Sequence, residues 1–153
     1  MADGETANPG WDEREVGAHW RWLVSDWATH SNFHSVPDAT SISLEFDLPE
    51  VGRVMTVRFM ATARLLVAFM TDGRFLSKDQ LALGAAAANA WNVERLIPVL
   101  SVWDVRGPHP CLAGSCVLPL TCRIAASDFH VLAGEWVEAA VQMFTRCHQV
   151  FRL

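Results

Sequence analysis

With 153 residues, 51% of them hydrophobic and 19% charged, the chain has the length and composition of one globular domain. At that size about 70% of the unfolded surface can be buried, so no disulfide or metal staple is required. A formal net charge of −5 argues against a nucleic-acid-binding role, which needs a basic face.

Residues 1–10 are polar and acidic and read as a disordered tail with no signal-peptide core; residues 11–153 read as a single domain. The first helix is expected from Trp11 to Thr29, with Val16, Trp20, Leu23 and Trp27 on one face and Asp12, Glu13 and Glu15 in its first turn. The polar stretch Ser31–Thr40 contains Pro37 and reads as a loop. A half-buried strand follows at Ser41–Leu48, where Ile42, Leu44, Phe46 and Leu48 alternate with Ser43, Glu45 and Asp47. Pro49-Glu50-Val51-Gly52 is a turn, and strand two is Arg53–Met60. Strand three, Arg64–Met70, is nearly all apolar, as expected where both faces are covered; Asp72-Gly73 closes it.

Ser77-Lys78-Asp79-Gln80 is a capping box, with Leu76 and Leu81 placed as a hydrophobic staple, and it opens a helix running to about Asn92. Pro98 prevents its continuation. Strand four is Ile97–Val105, Arg106–Gly114 is a loop, and strand five is Ser115–Ile124. Pro98 and Pro119 each remove a ladder donor, which suits sheet edges or bulges. The last helix runs from Ser127 to about Val150, with Phe129, Leu132, Trp136, Val137, Ala140, Val141 and Phe144 on one stripe. The order αβββαββα implies an α+β fold: a five-stranded, mainly antiparallel sheet with flanking helices.

The segment Ser41–Val150 resembles the YbjN-domain family, carried under the label of bacterial sensory transduction regulators. The resemblance rests on the strand trio ending Phe69-Met70-Thr71-Asp72, the helix Ala82–Asn92, the strand Pro98–Asp104, and the closing helix with Phe129 and Phe144. The family's middle helix ends in an Asn-x-x-Asn pattern, which Asn89 and Asn92 match. It implies the fold of type III secretion chaperones, commonly dimers that bind partner chains without chemistry. The first helix and the loop with Cys111 match no motif of the family.

No residue pattern carries a catalytic mechanism. None of the six histidines (His19, His30, His34, His109, His130, His148) lies in an HExxH motif or beside a nucleophile elbow. Cys147 and His148 are helix neighbours that point about 100° apart. Cys111 and Cys116, with His109 and Cys122 nearby, have four residues between them, the upper limit for a zinc hairpin. Cys116 and Cys122 are expected on one face of strand five as buried thiols, and Cys111 in the loop. No apolar run approaches the about 18 residues of a membrane helix, so the expectation is a cytoplasmic protein with reduced cysteines.

Two surfaces stand out instead. Trp20, Trp27 and Trp136 belong to core stripes, whereas Trp22 lies about 200° round the helix from Trp20 and is a candidate partner anchor. The middle helix is apolar nearly all round. Leu81, Gly84, Ala85, Ala88 and Trp91 are assigned to the sheet; Leu83, Ala86, Ala87 and Ala90 are left for a second chain. The expectation is a non-enzymatic protein-binding module, chaperone-like or regulatory and homodimeric. It would need no cofactor or metal, bind no nucleic acid or membrane, and take a partner on tryptophan-lined surface or an exposed sheet edge. The alternatives are a small-molecule sensor with a tryptophan-lined pocket, or a thiol or metal switch on Cys111, Cys116 and Cys122.

Overall fold

The computed structural model describes residues 12–153; the expected tail at 1–10 lies outside the described residues. Its elements are β1 (Glu13–Glu15), α1 (Val16–His30), β2 (Ser35–Pro37), β3 (Ser41–Leu48), β4 (Arg53–Ala61), β5 (Leu65–Phe75), α2 (Leu81–Glu94), β6 (Val99–Trp103), β7 (Cys111–Pro119), β8 (Arg123–Ala125) and α3 (Ala126–Phe151). The main sheet is antiparallel throughout, in the order β2-β3-β4-β5-β7-β6. It has six strands rather than the expected five, because Ser35–Pro37, read as loop, pairs with Ile42–Leu44 as an edge strand. A separate ribbon joins β1 to β8.

That ribbon also moves the start of α1. Glu13 and Glu15 are paired with Ala125 and Arg123 as strand, not in the first turn of a helix. The first helical amides are satisfied by the turn after β7: Val16 N–H donates to Cys122 O at 2.9 Å and Gly17 N–H to Leu120 O at 2.8 Å. The start of α2 uses its capping box. Gln80 Oε1 accepts from Ser77 N–H at 3.0 Å and from its hydroxyl at 3.2 Å, closing a short 3₁₀ turn ahead of the helix. The β4–β5 turn, which lacks glycine, is closed by Thr62 Oγ1, which accepts from Leu65 N–H at 3.1 Å.

All three helices cover one face of the sheet. Ile42, Leu44, Met55, Val57, Phe59, Leu66, Ala68, Met70, Leu100, Leu112 and Cys116 point into it, and Trp20, Trp27, Trp91, Phe129, Trp136 and Phe144 close over them. α3 lies close enough that a Cβ at Gly114 would sit 2.5 Å from Met143 Cε. β5 does not end at Asp72. It bulges around Gly73 (φ 71°) and resumes pairing at Phe75 with Cys111. Cys111 is therefore the first residue of β7, not a loop residue, and Cys122 lies in the turn before β8, not on the strand of Cys116.

Candidate functional site

The expectation that strand three is covered on both faces is overturned by the burial of β5. Leu66, Ala68 and Met70 are fully buried, but Leu65, Val67 and Phe69, on the opposite side, are only half-buried. No described element covers that side. It forms an open face of the sheet, with a chemistry that changes from one end to the other.

Towards β6 the open face is apolar. Met60, Val67, Phe69, Val99, Trp103 and Val117 share it, as the register Met60↔Val67↔Val117 and Phe69↔Ser115↔Val99 requires. Trp103 is 57% exposed, Val117 51% and Val99 49%. The Phe69 and Trp103 rings meet edge to face, with centroids 5.1 Å apart. Beside them lies an open concavity of about 440 Å³, bounded by Arg58 on its other flank. Towards β2 the face gains charged and polar groups, set among two exposed valines, Val36 and Val54. A second concavity there is lined by His34, Val36, Ser43, Glu45, Asp47, Val54, Thr56 and again Arg58. Arg58 thus divides two halves of one trough. Glu45, Asp47 and Arg58 take part in none of the ion pairs among the described residues.

The sheet edges are less available. Asn92 at the end of α2 clamps β6: its Nδ2 donates to Leu100 O at 2.8 Å, and its Oδ1 accepts from Leu100 N–H at 2.9 Å. Those are the Leu100 groups that would greet an incoming strand, so the clamp blunts that edge. Trp91 Nε1 bonds Pro98 O at 2.8 Å just before it. The opposite edge, β2, is three residues long and ends in Pro37.

The partner-binding residues expected from the sequence fall in different places. Trp22 is 41% exposed, but Arg14 stacks on its ring 4.0 Å from the centroid, so that ring face is occupied. On α2, Leu83 and Ala86 are exposed and Ala90 is half-buried. Ala87 is 1% exposed and packs into the core, so it is unavailable to a second chain. Ala85, assigned to the sheet, is exposed instead. The helix is rotated relative to the expected face, and a helical wheel of nearly uniform alanine gives no moment by which to set that rotation. Trp22 belongs to α1, which packs on α3, β4, β5 and β7; α2 packs on β6 and α3. These residues do not make one patch.

Ionisable groups are scattered. Asp26 Oδ2 and His130 Nε2 lie 2.8 Å apart between α1 and α3, with His30 stacked on His130 at 4.9 Å. Arg53 pairs with Asp72 at 2.9 Å and reaches His148 Nδ1 at 3.3 Å. Among the described residues no three His, Cys, Asp or Glu side chains gather as metal ligands. Two thiols are kept protonated by burial, which pushes Cys116 up to about 12 and Cys147 to about 11. Cys111 is raised first by burial and then by Asp72 and Asp104. Among the described residues no helix is long and apolar enough to cross a membrane.

No family model and no curated protein matches the chain. Among solved structures, it superposes on the crystal structure of YbjN from E. coli, which carries the provisional designation transcription regulator. The TM-score is 0.69 over 84% of this chain and 90% of that one, at 10% sequence identity. The chain has the YbjN fold. The three helices and the antiparallel sheet are consistent with that fold and with the expected α+β class.

Proposed function

We propose that the protein is a non-enzymatic binding module of regulatory or chaperone-like type, which acts as a homodimer and holds a partner chain. One observation carries the reading: an open sheet face bearing Phe69, Trp103, Val67 and Val117, on the side that none of the three helices covers. Tryptophan-bearing apolar surface is the common anchor of protein interfaces. The fold shared with YbjN, a provisional regulator, is compatible with that role. The small-molecule alternative would favour an enclosed cavity, and the concavity beside Trp103 is open along the face.

The homodimer would form through the outer face of α2. Leu83, Ala86 and Ala90, with Val93 beyond them, present small and apolar side chains that allow close backbone approach. Sedimentation velocity tests it. The wild-type chain is expected to run as a dimer at micromolar concentration and Ala86→Glu as a folded monomer. A wild-type monomer at high micromolar concentration ends the dimer reading. Co-purification from the native cell then asks whether a partner chain is held.

A further inference from the structure

We infer that the open face of the sheet receives an amphipathic helix of the partner, with an apolar stripe on the Phe69–Trp103 half and basic residues over Glu45 and Asp47. The inference rests on the binding-module reading and specifies its ligand.

Three observations select this occupant. The first is the backbone. On a sheet face the main-chain groups are already consumed by the ladders, so a segment lying there must satisfy its own N–H and C=O groups. A helix does so; an extended peptide does not. The edges, where a strand would dock, are clamped by Asn92 or end at Pro37. The second is charge. Glu45 and Asp47 are exposed on β3 without an ion-pair partner, and Arg58 alone stands opposite them, so the polar half of the trough is net negative. The third is extent. Six strands set about 24 Å between β2 and β6, which a helix of about 16 residues spans.

The same observations disfavour a second copy of this chain. A twofold axis through Arg58 would press Glu45 and Asp47 of one copy against Phe69 and Trp103 of the other. An axis through the apolar half pairs like with like, but that half spans only four strands, roughly 19 Å by 17 Å. Two such patches bury roughly 650 Å² before side-chain relief, well short of the about 1,200 Å² of a stable interface.

The test is selection from a displayed library of random 16-residue peptides on the full chain, followed by fluorescence anisotropy with the labelled consensus peptide. Enriched peptides are expected to carry apolar residues at i, i+3, i+4 and i+7 and a net positive charge. Trp103→Ser is expected to weaken the consensus peptide at least tenfold. Glu45→Lys with Asp47→Lys is expected to weaken it at least tenfold and to strengthen a charge-reversed peptide. All three positions are exposed, and unchanged circular dichroism confirms that the variants fold. No enrichment, enrichment of acidic peptides, or affinity indifferent to both variants overturns the inference. So does a dimer that these substitutions convert to monomer, because the face would then hold a second copy. A natural partner that still co-purifies with both variants would end this inference and leave the binding-module reading intact.

Discussion

Asn92 offers the sharpest test of how the sheet edge is protected. Its amide makes two bonds to the backbone of Leu100, at 2.8 and 2.9 Å, and no other side chain of α2 reaches that backbone by a hydrogen bond. Each such bond has a net worth of about 0.5–1.5 kcal/mol. Because Asn92 itself is exposed, water re-solvates part of what Asn92→Ala uncovers, which places the loss at about 1–2 kcal/mol. Alanine is also the better helix former by roughly half a kcal/mol, which offsets some of that loss. Asn89→Ala supplies the control, since Asn89 is exposed and makes no side-chain bond among the described residues. Urea unfolding followed by tryptophan fluorescence should therefore place Asn92→Ala below Asn89→Ala. With a slope of about 2 kcal/mol per molar urea, the midpoints should differ by about 0.5–1 M. Hydrogen exchange at the Leu100 amide should quicken in Asn92→Ala alone. Equal midpoints for the two variants, or an unchanged Leu100 amide, would refute the clamp.

Ala87→Glu should place a carboxylate in the core at a cost on the order of 4 kcal/mol, whereas Ala86→Glu, one residue before it, should leave the thermal midpoint within a few degrees at concentrations where the chain is monomeric; a thermal scan showing both tolerated would mean that Ala87 does not pack into the core. Asp38 accepts from Thr40 N–H at 2.7 Å and from Ser41 N–H and hydroxyl at 2.8 Å each, and these bonds, led by that of Thr40, hold its carboxyl at about 2. A carboxyl depressed in the folded state contributes stability above its unfolded value near 4 and loses it as pH falls towards 2. The β2–β3 turn should loosen across that window, and Asp38→Asn should remove the dependence; an Asp38 carboxyl titrating near 4 by NMR would count against it. Thiol labelling at neutral pH, mapped by mass spectrometry, should leave Cys116 and Cys147 unmodified until denaturant is added, because burial keeps both protonated and covered. Labelling of Cys116 as fast as Cys122 would contradict that.

Elements whose own side chains carry a period were legible from sequence. β3 is found at Ser41–Leu48 because one side of it meets the core and the other meets solvent, which is what strict alternation records. α3 keeps its apolar stripe for the same reason at helical spacing. The missed strands β1, β2 and β8 are three residues each, too short to show a period. β1 exists because of partners far along the chain: Arg123 also bonds Glu13 O at 2.8 Å, across a separation of 110 residues. The start of β7 was hidden by Pro108, Pro110 and Gly114, turn formers that here flank or fill a strand.

The open face was visible in the sequence but misread. Leu65, Val67 and Phe69 interleave with Leu66, Ala68 and Met70, so β5 does have two apolar sides. Periodicity reports that a side wants cover; it does not report whose atoms supply it. The arithmetic that separates the two cases is the number of covering elements. Three helices are available to the strands, and covering one face of a six-stranded sheet uses all of them.

That arithmetic also bears on how the two proposed surfaces relate. α2 lies in the helical layer, packed on β6 and α3, whereas Phe69 and Trp103 project from the other side of the same sheet. A second copy docked on Leu83 and Ala86 therefore meets a surface that the sheet separates from the trough along Arg58. Asn92 sits at the junction, with its backbone in α2 and its amide on β6, and it ties the strand that carries Trp103 to the helix that carries Ala86. The two proposed surfaces thus lie on opposite sides of the sheet, and this clamp, with the Trp91 Nε1 bond to Pro98 O and the packing of α2 on β6, is among the links between them.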